Sequence, residues 1–329
     1  MKKKIGFILA GLFLFAILAG CASSSSSDTG AESSDYPKKP ISIIVSYDAG
    51  GGTDTTARTL QPYLEDELGV AVNIINQPGG GGWVGWNEIA NAKPDGYTIG
   101  FLNSPNIASG LVNPTMETQV TLDDYTFIGN HVADPGVVAI RVDDERFSDF
   151  NELIEYAKEH EVTTTATGIA GDDHLVTLKL NEELGTKFKA VQFEGTSKSR
   201  AAFLGGHVDV LISSVGEAYP MHQEKQLKIA AVTAAEKSPY LPDVPTVEEA
   251  GYGEIIQQST RGLVAPADVD PEMIEKLESA LEKSVNNPDH IEDMKKIGTQ
   301  ASYMDGETYK ALLEKDQTDI ESLKPLLGW

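Results

Sequence analysis

Apolar and polar positions alternate with two periods along most of the chain. Ile41, Ile43, Ile44 and Val45 form a short apolar run with the character of a buried strand. Gly50, Gly51 and Gly52 follow, and Thr53-Asp54 then opens a stretch to about Leu68 in which Ala57, Leu60 and Leu64 recur at helical spacing. The unit repeats at once. Residues 70–76 predict a strand, Gly79 to Gly82 a glycine loop, and Trp83 to Ala92 a helix. Tyr97 to Leu102 predicts a third strand, and Tyr125–Ile128 and Gly136–Val142 two more. Beyond these, strands are predicted at 162–167, 188–193, 208–214 and 227–233. Helices are predicted at 150–159, after His174, at 197–204, and in the tail at 273–285, 289–297 and 308–323. Alternating β and α elements predict an α/β protein with a largely parallel sheet covered by helices. The alternation breaks between Asp124 and Arg141, and Ile255 to Ala265 predicts a long return crossing.

The first residues belong to another class of segment. Lys2, Lys3 and Lys4 precede an apolar run from Ile5 to Leu18, too short for a membrane span, and Leu18-Ala19-Gly20-Cys21 follows. This is the layout of a secretory signal. Leu-Ala-Gly-Cys resembles the bacterial lipobox, which implies cleavage before Cys21 and lipid on its sulfur. Cys21 is the only cysteine, so an internal disulfide is excluded. Ser23 to Ser27 and the polar residues up to 37 read as a tether. The formal net charge of −24 excludes nucleic acid as a natural partner. It also requires any site for an anion to be local and preorganised.

In α/β sheets ligands sit beyond the carboxyl ends of strands, where the glycine loops fall. A helix start offers unpaired N–H groups and a partial positive charge, so residues 50–54 suit an anion. A plain tight turn with Thr53 or Asp54 as cap accounts for the same residues. No lysine or arginine lies between Ile41 and Ala57, so such a site works through backbone N–H groups and the hydroxyls of Thr53 and Thr55. No phosphate-loop, dinucleotide or metal spacing occurs. Asp172, Asp173 and His174 read either as a helix start with a histidine nearby or as a catalytic set.

The motifs, taken in order, resemble one family. They are Gly-Gly-Thr-Asp-x-x-Ala-Arg (51–58), Asn-Gln-Pro-Gly-Gly-Gly-Gly (76–82), Lys-Pro-Asp-Gly-Tyr-Thr (93–98) and Gly-x-Ala-Gly-x-x-His (168–174). Leu-Gly-Gly-His-Val-Asp (204–209), Ala-Val-Thr (231–233), Leu-Pro-Asp-Val-Pro-Thr (241–246) and Gly-Leu-Val-Ala-Pro (262–266) complete the set. From Tyr36 to about Leu327 the chain resembles the extracytoplasmic solute receptors of tripartite tricarboxylate transporters, the Bug or TctC family. The resemblance implies a two-domain periplasmic-binding-protein fold of Venus-flytrap type, without cofactor, metal or catalysis. It implies a monomer that takes a small carboxylate, often a di- or tricarboxylate, and passes it to large and small membrane subunits of a transporter. A receptor feeding a sensor kinase, or a hydrolase or isomerase using His174 with Asp172 or Asp173, are the alternatives.

Expected domains are 38–137 with 257–329, and 138–256, after a signal (1–20) and tether (21–37). The expected location is extracytoplasmic, lipid-anchored to the cell membrane or on the periplasmic face. By the resemblance, ligand contacts fall on Tyr47, Gly50, Gly51, Gly52, Thr53, Asp54, Gly80, Gly81, Thr167, Gly168, Ala170, Gly171 and His174, with Ser104, Thr196 and Asp209 within reach. Asp48, Asp172 and Asp173 depart from the family pattern, and they disfavour a highly charged tricarboxylate. Arg261 either restores positive charge in the cleft or pairs at the surface.

The lipobox yields the first prediction. Stable anchoring requires more than one acyl chain. Cys21→Ser is expected to abolish lipid processing and release the protein from the membrane fraction. Wild-type processing and retention of the variant, followed by gel mobility and fractionation, would exclude the anchor.

Overall fold

The computed structural model describes residues 35–116 and 118–329; Cys21, the signal and most of the tether lie outside the described residues. No helix among the described residues is long and apolar enough to cross a membrane.

The first half follows the predicted alternation: β1 (Ile41–Val45), α1 (Gly52–Leu68), β2 (Val72–Asn76), α2 (Trp83–Ala90), β3 (Thr98–Ser104), α3 (Asn106–Val112) and the long strand β4 (Tyr125–Arg141). Next come α4 (Phe150–Glu159), β5 (Val162–Ala166), α5 (Asp172–Leu184), β6 (Phe188–Gln192), α6 (Thr196–Leu204), β7 (Val210–Ser214), α7 (Val215–Gln223) and β8 (Leu227–Thr233). The chain ends with β9 (Gln258–Pro266), α8 (Pro271–Val285), α9 (Pro288–Lys296), β10 (Ala301–Asp305), α10 (Gly306–Ser322) and α11 (Lys324–Leu327).

The strands form one curled sheet in the order β2-β1-β3-β9-β4-β7-β5-β6, with β10 and β8 also paired to β4. Two lobes result, because β4 serves both. Its first part, to Pro135, lies against β9, with Pro135 opposite Gln258. Its last part, from Gly136, lies between β7 and β8. The first lobe therefore holds β1, β2, β3, β9, β10 and the start of β4. The second holds β5, β6, β7, β8 and the end of β4.

Two strands expected at 125–128 and 136–142 are one. Its pairing with β9 shifts register at Phe127/Gly129 and Asn130/Val132, and such bulges bend a strand and increase its twist. Four elements are absent from the sequence expectation, one of them the four-residue α11. The helix α3 is only seven residues long and carries Ser109 and Gly110, both weak helix formers. The helix α7 carries Gly216 and Pro220, both poor helix formers. The strand β10 is a half-exposed edge segment without clear alternation.

Each lobe is packed on both faces of its part of the sheet. In the first lobe Ile41, Ile43 and Val45 meet Leu60, Leu64 and Leu281 on one face. Ile44 and Leu102 meet Trp86, Val264 and Tyr309 on the other. In the second lobe, α4 starts at Asp149, whose side chain accepts from Glu152 N at 2.9 Å, and buries Leu153, Ile154 and Ala157 against Val162 and Val210. The cap satisfies an otherwise unpaired helix donor, and the 3.6 period puts the apolar side chains on one face.

Tyr309 locks the tail onto the first lobe. Its hydroxyl donates to Leu102 O at 2.9 Å and accepts from Gly262 N at 3.1 Å. A Cβ at Gly262 would lie 2.2 Å from the Tyr309 ring. Overpacking of this kind costs roughly 1–3 kcal/mol. Gly262→Ala is therefore expected to lower unfolding stability by about that amount in urea titrations. An unchanged midpoint would show that the ring is free to move.

Candidate functional site

The loops at the carboxyl ends of β1, β3 and β5 converge where the lobes face one another. Here Tyr47, Gly51, Gly52, Thr53, Asn103 and Asn106 of the first lobe confront Thr167, Asp172, Asp173, Thr196 and Glu217 of the second, with Ser259 and Arg261 of β9 at the side. The cavity between them measures about 30 Å³, room for about two water molecules. As it stands, the space is too small for a multi-carbon ligand.

The glycine loop is shaped by its own side chains. The helix α1 is capped by the backbone of Gly51 rather than by Thr53 or Asp54. Asp54 reaches back to accept from Gly50 N at 2.8 Å and pairs with Arg58 at 2.9 Å. It also accepts from Asn76 at 3.0 Å, and these bonds hold its carboxyl below the usual range against the effect of burial. Asp54 thus fixes the loop and is not among the residues lining the cavity. Gly50 has a φ of 77°, which favours glycine, and its carbonyl accepts from Arg200 at 3.1 Å across the cleft. Thr53 Oγ1 accepts from Asn103 Nδ2 at 2.7 Å. Thr55 does not line this cavity.

From the second lobe, Glu217 docks onto this loop. Its Oε1 accepts from Gly52 N at 3.0 Å and from Thr196 Oγ1 at 2.9 Å, and its Oε2 from Ser213 Oγ at 2.6 Å. A protein carboxylate therefore takes one of the helix-start N–H groups. Arg261 lies beside it, 3.8 Å from Glu217 and 3.3 Å from Asp134, and is only 3% exposed. The surface alternative for Arg261 is thereby corrected. Its Nε and Nη1 carry no hydrogen bond among the described residues.

Around this one guanidinium stand Asp134, Asp172, Asp173 and Glu217. Asp173 is 4% exposed and accepts from Thr167 Oγ1 at 3.0 Å. Burial raises its pKa well above the ordinary value, as do the neighbouring Asp172 and Glu217. Burial and Glu217 raise Asp172 to about 6, and burial raises Asp134.

The remaining expected residues divide. Gly80, Gly81 and Gly168 line a neighbouring apolar groove of about 380 Å³ with Trp83, Ile169 and Phe193. Asn106 bounds both spaces and donates to Thr167 O at 2.9 Å. Ala170 has a φ of 56°, its carbonyl accepts from Ser109 Oγ, and its N–H donates to His174 Nδ1 at 2.9 Å. Gly171 is the N-cap of α5. His174 thus fastens the loop, with its pKa lowered by burial, and the structure does not place it on the cavity wall. Ser104 donates to Asp316 at 2.5 Å instead of facing the cavity.

Asp209 is a correction. It accepts from Thr163 N at 2.9 Å and pairs with Arg146 at 2.7 Å. Thr163 is at the start of β5, whose far end bears Thr167, so Asp209 belongs to the opposite end of the sheet from the cleft. Asn103, Asn106, Glu217 and Ser259 are the residues that sequence reasoning missed. Asp48, at the mouth, lies 3.4 Å from Lys198. Among the described residues no group of three His, Cys, Asp or Glu side chains is arranged to hold a metal.

The model of the tripartite tricarboxylate transporter family receptor matches residues 56–324. The chain belongs to that family. A UPF0065 protein of Cupriavidus necator, named for the gbd 5′ region, is 30% identical over 89% of this chain and 90% of its own length. The structure of the periplasmic binding protein BugD shares 27% identity, covers 89% of this chain and 99% of its own, and superposes with a TM-score of 0.81. MatC of Rhodopseudomonas palustris, solved with bound malate, shares the fold at 24% identity and a TM-score of 0.80, over 89% of this chain and 100% of its own. The fold is that of an α/β periplasmic binding protein.

The raised carboxyls carry a signed consequence. An acid whose folded pKa exceeds its unfolded value stabilises the fold when protonated, and that contribution is lost as pH rises through the folded pKa. For Asp172 the loss falls between about 4 and about 6, and for Asp173 it extends higher. Asp173→Asn keeps an acceptor for Thr167 and removes the buried charge. It is expected to raise stability at pH 7. It should also flatten the stability–pH curve between pH 5 and 7, followed by thermal melts of the ligand-free protein.

Proposed function

We propose that this receptor captures a small carboxylate from outside the cytoplasm by closing its two lobes, and delivers it to the membrane subunits of a tripartite transporter. Lipid on Cys21 and the tether keep it at the membrane surface, and it performs no chemistry. The observation that carries this reading is the cavity between the lobes, where the start of α1 at Gly51–Thr53 and the buried Arg261 face the loop after β5. Helix-start N–H groups and a guanidinium both favour an anion. The carboxylate is held by Thr53 and Arg261, and by Gly51 and Gly52 once Glu217 gives up the Gly52 N–H and the Thr196 hydroxyl that it takes in this structure, with Thr167 and Thr196 opposite. The malate seen in MatC supports a carboxylate ligand.

Residues 38–137 with 257–329 act as one moving body and 138–256 as the other. They pivot near the two places where the chain crosses between the lobes, at Pro135–Gly136 and Gln257–Gln258. Closure removes water, which strengthens the hydrogen bonds to the ligand.

The direct test is mass spectrometry of small molecules released from the purified protein, followed by thermal melts with each. Ligand at a hundred times its dissociation constant should stabilise the fold by about 2.7 kcal/mol. A protein that releases no carboxylate and melts identically with all of them would refute the reading. Closure is tested separately. A Cβ at Gly52 would lie 2.3 Å from Glu217 Oε1 and 2.8 Å from Arg261 Nη2. Gly52→Ala is therefore expected to hold the lobes apart, enlarge the radius of gyration in solution scattering and weaken ligand binding at least tenfold.

A further inference from the structure

Among the described residues that line the cavity, Arg261 is the one cation and faces several acids. Asp134, Asp172, Asp173 and Glu217 surround Arg261. Glu217 is satisfied by Gly52, Thr196 and Ser213, while Asp134 accepts from Gly216 N at 3.1 Å and is ion-paired with Arg261 at 3.3 Å, its Oδ2 without a hydrogen bond among the described residues. Asp172 and Asp173 differ. Among the described residues no lysine, arginine or histidine nitrogen lies within 4 Å of either carboxylate, yet both line the cavity. A second observation points the same way. Asn103, 4% exposed and lining the cavity, keeps its Oδ1 without a hydrogen-bond partner among the described residues. On the other side the donors Nε and Nη1 of Arg261 are likewise unpaired. Buried polar groups left in this state are uncommon and call for a partner. The cavity thus presents unmet donors on β9, an unmet acceptor at Asn103 on β3, and on α5 two acids with no cation beside them.

We infer that the ligand is a zwitterion: a small amino-carboxylate whose carboxylate meets Arg261 and the start of α1, and whose ammonium meets Asp172, Asp173 and Asn103 Oδ1. The inference rests on the carboxylate reading and narrows it. A dicarboxylate brings a second negative charge to two buried acids, and like charges in a desolvated cleft repel strongly. An ammonium is a three-donor cation matched to two carboxylates and an amide oxygen. Asp172 and Asp173 are therefore the residues that set specificity, by attraction for the amine and by repulsion of a second carboxylate.

Titration calorimetry with chain-matched probes tests this. Succinate, glutarate and adipate form one set, and 3-aminopropanoate, 4-aminobutanoate and 5-aminopentanoate the other, joined by alanine, serine and glutamine. At least one amino-carboxylate should bind the wild-type protein at least tenfold more tightly than every dicarboxylate. Its affinity should fall as pH drops below about 6, where Asp172 gains a proton among its neighbours Asp173, His174, Glu217, Arg261 and Tyr47. Dicarboxylate affinity should move the opposite way. The Asp172→Asn, Asp173→Asn double variant should lose the amine preference at least tenfold. Preferential dicarboxylate binding by the wild type overturns the inference and leaves the carboxylate reading intact. So does an amine preference that survives the double variant. Binding of neither set overturns both. The wild-type comparison stands even where the variant fails to fold.

Discussion

One buried guanidinium organises the cleft. Arg261 reaches from β9 to within 3.3 Å of Asp134 on β4 and 3.8 Å of Glu217 on α7. A charge taken out of water is tolerated when it is paired and hydrogen-bonded, and removing one partner leaves the other exposed to the full desolvation penalty. The position of Glu217 then fixes the rest. Its carboxylate ties α7 to Gly52 at the start of α1 and to Thr196 at the start of α6. Three helix starts and the shared strand pair are thereby brought to one point, and the lobes register on it when they meet.

The same group explains why the cleft is polar although its surroundings are not. A few ångströms away, Trp83, Ile169 and Phe193 line an apolar groove. The two spaces share Asn106, whose amide ties the lobes by donating to Thr167 O. Charged side chains crowd the cleft side of that residue, and the groove on the other side carries one, Glu194, among largely apolar neighbours.

Much of this was legible in the chain. The strand, glycine loop and helix of residues 41–68 could be read because apolar period and glycine placement agree there. The family resemblance carried the second loop, 168–174. What stayed hidden depends on contacts distant in sequence. The burial of Arg261 follows from β9 lying between β3 and β4, a pairing that no local pattern announces. Glu217 was concealed because Gly216 and Pro220 mask the helix that carries it. Asp209 was avoidable: with β7 starting at Val210 rather than at 208, it precedes the strand, and ligands gather at the carboxyl ends.

The pairing of Pro135 with Gln258 bears on how the molecule is assembled. These neighbours are more than a hundred residues apart in sequence, and everything between them belongs to the second lobe. Joining them in an otherwise unfolded chain costs roughly 4 kcal/mol in loop closure. If the second lobe forms first, Gly136 and Gln257 are already hydrogen-bonded at 2.9 Å, and the remaining separation is short. The order of events is thereby biased: the inserted lobe acts as the template on which the split lobe closes, although half of the split lobe leaves the ribosome earlier.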